Sequence, residues 1–447
     1  MARVCCRVLL RGFAALLVLL AAPALAQEPS GPGLFERPVL ALDPGLHTAP
    51  IGRADVDRSG SYAVTGSVDR TVRVWQVADG AMLRTIRLPV GPGNVGKVAA
   101  VAISPDGALI AAGGWMTPGP PTHIYLFARD SGKMLQRIAG LPDIVSHLTF
   151  SADGHHLAAV LGGGAGLRVY DREAGWAEVA RDSDYGDVSY GAAFAPDGRL
   201  ATTSYDGNIR LYDPAFRLKK QVAAPGGSRP FGIAFSPDGQ RLAVGYDDST
   251  AVDLLDATSL ATLPGPDTGG IDNGDVSKVA WSADGATLYA GGRHVDGSGV
   301  FPVLAWSSGG SGPPRSLPAG RNTVMSLKGL PDGGLLVASQ DPFLAVLADG
   351  KERWARQPQQ PTSMASRSRS VSRRTGASST STTWASGGEP TLPPPVPMPR
   401  RGSSWAHGGW SSILRATARR RARCRTASRS STGSTVRPRP STAGRWR

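Results

Sequence analysis

Between residues 50 and 350 the chain alternates short apolar runs with small polar turns. Val101-Ala102-Ile103, Ala192-Ala193-Phe194, Gly232-Ile233-Ala234-Phe235 and Val279-Ala280-Trp281 each lead into a turn, and runs such as Leu109-Ile110-Ala111-Ala112 and Leu242-Ala243-Val244 follow. A third run comes next: Val72-Arg73-Val74-Trp75, Ile124-Tyr125-Leu126-Phe127, Leu167-Arg168-Val169-Tyr170 and Ile209-Arg210-Leu211-Tyr212. A weaker fourth run, such as Met134-Leu135-Gln136-Arg137-Ile138, completes the unit. The runs are short, bounded by turn residues and rich in β-branched and aromatic side chains, so they predict strands. No segment here has a helical period long enough for a core helix.

The turn between the first two strands recurs seven times. It begins at Asp57, Ser104, Ser151, Ala195, Ser236, Ser282 and Leu330, at spacings of 41 to 48 residues. Its Asp-Gly pair is Asp106-Gly107, Asp153-Gly154, Asp197-Gly198, Asp238-Gly239, Asp284-Gly285 and Asp332-Gly333; the first copy reads Asp57-Arg58-Ser59-Gly60. Aspartate bonds nearby backbone and glycine accepts positive φ, which reverses the chain sharply between two strands. Four strands per unit of this length is the signature of a propeller blade, and blades bury their faces only by stacking. The expected fold is all-β: a seven-bladed β-propeller over residues 50–356, with residues 27–49 as a candidate closing strand.

The third-strand endings carry a family resemblance. Arg73-Val74-Trp75-Gln76, Val169-Tyr170-Asp171 and Leu211-Tyr212-Asp213 resemble the Trp-Asp ending of WD40 repeats. Asp69 precedes Trp75 by six residues and Asp206 precedes Tyr212 by six, as in that family's turn between second and third strands. The resemblance implies a structural hydrogen-bond network joining this Asp, a His, a Ser or Thr and the aromatic residue. No Gly-His pair precedes the first strand of any blade, and His47 is the candidate for the missing histidine. The overall layout resembles exported bacterial WD40 proteins that continue into a second propeller and a caspase-like protease domain. That resemblance implies a fragment of a longer sensor as the alternative to a free-standing scaffold.

Residues 1–26 read as a secretory signal. Arg3, Arg7 and Arg11 precede an apolar stretch from Phe13 to Ala22, and Ala24-Leu25-Ala26 before Gln27 fits a cleavage site. The stretch is too short to span a bilayer comfortably and ends at Pro23, so no stable membrane span is expected after cleavage. The expected location is periplasmic or secreted. Only Cys424 would remain, which excludes an internal disulfide.

The net charge of +14 does not belong to the repeats. Residues 361–447 hold 17 arginines and a single acid, Glu389, leaving residues 1–360 two charges negative. The repeat region therefore carries no overall basic charge for nucleic acid. Segment 357–447 is low-complexity and rich in Arg and Ser. It reads either as a disordered basic tail or as the product of a one-base slip in the reading frame near Gln357–Pro361. In the shifted frame, Pro361–Ser366 permits Asp-Phe-Asp-Gly-Gln and Val371–Gly376 permits Val-Ser-Ala-Asp-Gly, the blade turn again.

Candidate chemistry is sparse. The seven histidines show no metal-ligand spacing, and His155-His156 follows a blade turn. Gly162 to Gly166 precedes a strand rather than a helix, so it is no phosphate cradle. Asp267, Asp272 and Asp275 share a long loop without a calcium-loop pattern. No catalytic constellation and no cofactor fingerprint is readable, although an exported propeller enzyme assembled from distant blades remains an alternative. The expected function is non-enzymatic binding of protein partners through the longest loops, Trp115–Pro121, Asp182–Asp187, Pro264–Asp275 and Arg293–Val300. Trp115, Trp176 and Trp306 are read as packing residues, with partner anchors as the alternative.

Overall fold

A computed structural model describes residues 43–358. These residues form seven four-stranded antiparallel sheets, each built from four consecutive strands. The blades span residues 51–87, 98–141, 145–182, 189–223, 230–263, 278–320 and 324–356. The first strand of each blade packs beside the first strands of both neighbours, and blade 7 packs against blade 1 to close the ring. The chain is a seven-bladed β-propeller.

The second strands are covered on both faces, whereas outer strands such as Leu218–Ala223 are largely exposed, and several second strands read as unbroken apolar runs. His156–Leu161 buries Leu157 through Leu161 completely. Seven hydrophobic clusters fill the seven spaces between blades; Val64, Val74, Val101 and Ile110 join blades 1 and 2, for example. An eighth cluster, Ala99, Trp115, Val188, Tyr190 and Phe231, lies at the axis.

The recurring turn owes its shape to two side chains. In blade 2 the Ser104 hydroxyl donates to Asp106, and the Leu109 amide donates to Ser104 Oγ at 2.9 Å. Asp106 Oδ1 accepts the Ala108 amide at 2.9 Å, and Gly107 takes φ 68°, open to glycine. Ser151 with Asp153, Ser236 with Asp238 and Ser282 with Asp284 repeat the arrangement. Asp197 and Asp332 lack the serine and accept the amides of Arg199 and Gly334.

The ring closes between the last blade and the first. Among the described residues, the outer strand of blade 7 is Lys351–Arg356, which completes a four-stranded sheet. Residues 43–49 are irregular, and residues 27–42 lie outside the described residues. Seven complete four-strand units fit between residues 51 and 356. The cleavage position Ala26-Gln27 and the segment beyond residue 358 also lie outside the described residues.

Candidate interaction faces and axial well

Strand order sorts the connections onto two faces. The turns between first and second strands share one face with those between third and fourth strands, joined by bonds such as Arg129 N–H to Ala108 O at 2.9 Å. The remaining connections share the opposite face, joined by Gly162 N–H to Ile144 O at 2.9 Å and Tyr205 N–H to Val188 O at 2.9 Å. All four long loops singled out from the sequence lie on this second face, the loop face.

Their side chains divide those loops into structural and accessible parts. Trp115 and Met116 are buried, Trp115 within the axial cluster, whereas residues 118–121 are exposed. Trp306 is fully buried and its indole N–H donates to Asp267 O at 2.9 Å; Trp176 packs edge-on to Phe150. Tyr185, inside the loop 182–187, is buried at the heart of blade 4. Asp275 is buried against Arg293, which also reaches Asp247 Oδ1 at 3.2 Å and so joins blades 5 and 6. Asp267 and Asp272 bond Gly269 and Asn273 instead of converging with Asp275. The loop surface left open comprises 118–121, residues 183, 184 and 186, much of 265–273 and 297–299.

The residues flagged for a hydrogen-bond network occupy two blades. In blade 1, His47 Nδ1 bonds Asp69 Oδ2 at 2.8 Å, and His47 Nε2 bonds Thr65 Oγ1 at 2.7 Å. The Trp75 indole N–H donates to the same Thr65 oxygen at 2.8 Å. Burial raises the Asp69 carboxyl, but hydrogen bonds and attraction from His47, with Thr71 and the Thr48 amide, outweigh it and bring it to about 2. The histidine is thus in place with Leu46 as its preceding neighbour, and Leu46 packs against the adjoining core.

Blade 4 solves the same problem with other residues. Tyr185 stands where His47 stands in blade 1, sharing hydrogen bonds with Thr202 Oγ1 at 2.6 Å and Tyr212 OH at 2.9 Å. Tyr212 donates to Asp182 Oδ2 at 2.7 Å, and Asp206 pairs with Arg210 at 2.7 Å. In blade 5, Asp248 accepts the Ser228 and Arg229 amides, and the Tyr246 hydroxyl donates to Asp253. Tyr185 was invisible as a network member because a histidine was the residue sought.

The comparisons with known proteins fall on these blades. The family model for the WD domain, G-beta repeat (WD40) matches residues 45–76, 184–213 and 225–252. These segments hold the His47, Tyr185 and Asp248 arrangements, so the seven-bladed β-propeller is built with WD40 repeats. Such propellers are typically protein-interaction scaffolds. A 120-residue stretch is 31% identical to transducin beta-like protein 3 of Bos taurus, covering 27% of this chain and 14% of that protein. A 164-residue stretch is 27% identical to small ribosomal subunit protein RACK1 of Caenorhabditis elegans, covering 34% of this chain and 46% of that protein. The chain spans less than half the length of either relative.

Sequence reading missed the axis. A cavity of about 430 Å³ runs along it and reaches the turn residues Ala152, Pro237 and Ala283. Four residues before their respective turns, Arg53, His147 and Lys278 enter this cavity at the same register. Arg53 crosses the ring, its Nη2 donating to Tyr190 O of blade 4 at 2.7 Å. Lys278 Nζ lies 3.6 Å from the centroid of the Phe231 ring, and the Arg53 guanidinium carbon lies 5.4 Å from it. Burial and the neighbouring Arg53 charge bring the Lys278 amine down to about 7. Burial also lowers Arg53, to about 10, so it stays charged at neutral pH. His147 is held well below its ordinary value by burial and by the charges of Arg53, Lys328 and Lys278. It is therefore neutral, and its Nδ1 accepts the Ala192 amide at 3.1 Å. The signal available in sequence was a basic or imidazole residue four positions before the turn in blades 1, 3 and 6.

Proposed function

We propose that this protein is an exported, non-enzymatic scaffold that binds protein partners through the loop face of its propeller. The observation that carries this reading is the collection of long connections from blades 2, 5 and 6 on one face, each with an exposed stretch held by a buried base. A rigid ring that displays adaptable loops suits recognition, and the loops can vary without disturbing the blades. One relative is a small ribosomal subunit protein, a component of a larger assembly, which accords with a binding role. The secretory pattern of residues 1–27 supports a periplasmic or extracellular location.

The test is capture from a periplasmic extract on immobilised full chain, compared with chains whose residues 265–273 or 297–299 are replaced by Gly-Ser linkers. Loss of a specific partner with unchanged thermal stability supports the reading. Identical capture by the parent and both loop variants refutes it. Expression with its own leader tests export: the mature chain is expected to begin at Gln27, and cytoplasmic retention with Met1 intact argues against export.

A further inference from the structure

The axial well has a polarity that the loop face does not explain. Among the described residues, Arg53 and Lys278 form no ion pair with a carboxylate; Lys278 is buried, its Nζ donating to Ser277 Oγ at 3.1 Å, and Arg53 is half-buried. Burying a charge without a counterion is costly. Arg53 spends one N–H on Tyr190 O, and its fork has further donors. His147 accepts a hydrogen bond at Nδ1, so its proton is on Nε2, the ring's remaining donor. The third cation, Lys328, is already bound to Asp55 Oδ1 at 2.8 Å. The lining therefore supplies one fixed positive charge from Arg53 and one adjustable charge from Lys278. The remaining lining mixes polar backbone with small and apolar side chains, among them Ile233, Val279 and Leu327, which are packed largely into the clusters between blades.

The geometry points to a binding site in this well for a small organic carboxylate, its anionic group between Arg53 and Lys278 and its apolar body against Ile233, Val279 and Leu327. A planar guanidinium fork matches a carboxylate, and the modest net positive charge of the lining favours a monoanion over a phosphate dianion. The cavity volume sets the size at a few carbon atoms to a single ring. Binding draws a proton onto Lys278. The groups acting on that amine are Arg53, Arg293, Asp275 and Asp247, with His147 neutral in the same lining. Asp275 and Asp247 are already engaged by Arg293, so the arriving anion becomes the new partner.

Titration calorimetry of the full chain with benzoate and with inorganic phosphate tests the site, at pH 6 and pH 8. Benzoate is expected to bind more tightly at pH 6, by about fivefold or more, because Lys278 is charged below about 7. Arg53→Met and Lys278→Met are each expected to weaken it by about tenfold or more, as loss of a charge-assisted hydrogen bond does. Phosphate is expected to bind more weakly than benzoate throughout. Runs at pH 7.5 in two buffers of different ionisation enthalpy need no variant, and proton uptake on benzoate binding is the expected result. No benzoate binding at millimolar concentration, no proton uptake, phosphate binding as tight as benzoate, or unaltered binding in a folded Arg53→Met chain overturns the proposal. These outcomes are independent of partner capture at the loop face.

Discussion

The indole N–H of Trp354 donates to the carbonyl of Val77 at 2.7 Å, tying the outer strand of the last blade to the first blade. Arg356 adds bonds to the carbonyls of Asp79 and Gly80 in the same turn. Other blades use the same kind of link: Arg84 of blade 1 reaches Asp130 O of blade 2, and Gln136 of blade 2 reaches Gly175 O of blade 3. The closing contact is thus a repeat contact that joins the last blade to the first. Trp354→Phe keeps most of the ring packing and strands a buried carbonyl. It is expected to cost about 1–3 kcal/mol in equilibrium denaturation. A loss below about 0.3 kcal/mol would show that closure does not depend on this bond.

Blade 1 should carry an acid-sensitive element. The Asp69 carboxyl lies at about 2 when folded against an ordinary 3.8, so the folded state prefers the ionised form. The stabilisation is fully present above about pH 4 and is lost as pH falls through the folded value. A shift of this size corresponds to about 2 kcal/mol. Asp69→Asn is expected to flatten the stability profile between about pH 4 and pH 2, measured by urea denaturation across that range. An equally steep acid loss in the variant would exclude Asp69 as its source.

Alkaline titration reads the blades that use tyrosine. Burial pushes the Tyr185 phenol up to about 12, and Tyr170, Tyr212 and Tyr246 above that range. Folded-state values above the ordinary 10 mean that stability is intact below pH 10 and declines as pH rises beyond it. Of the nine tyrosines, these four are expected to remain un-ionised at pH 11 while the ring is folded, followed by ultraviolet absorbance. Tyr212→Phe should leave the number ionised at pH 11 unchanged; a decrease would mean that Tyr212 ionises in the native ring.

Loop-face residues should separate into two stability classes. Replacing residues 297–299 with a Gly-Ser linker is expected to change stability by less than about 0.5 kcal/mol, as exposed segments do. Tyr185→Ala removes a buried aromatic and its two hydroxyl bonds, and is expected to cost about 3–5 kcal/mol. Differential scanning calorimetry distinguishes the two. Similar losses in both would show that the exposed stretch also supports the ring.

Features encoded within a few neighbouring residues were legible from the sequence alone. Each Asp-Gly turn reports its own backbone demand, and its seven recurrences set the blade number without reference to any partner strand. Asp69 and Trp75 were readable because six residues separate them within one hairpin. What depended on residues far apart in the chain was decided only by the tertiary structure. Tyr185 replaces a histidine because Thr202 and Tyr212 meet it across the blade, and Trp115 left the loop surface because Val188, Tyr190 and Phe231 surround it at the axis. The axial well is the extreme case: Arg53, His147 and Lys278 share a position four residues before their turns, but they come from three blades, and only closure of the ring brings their charges together and determines their protonation.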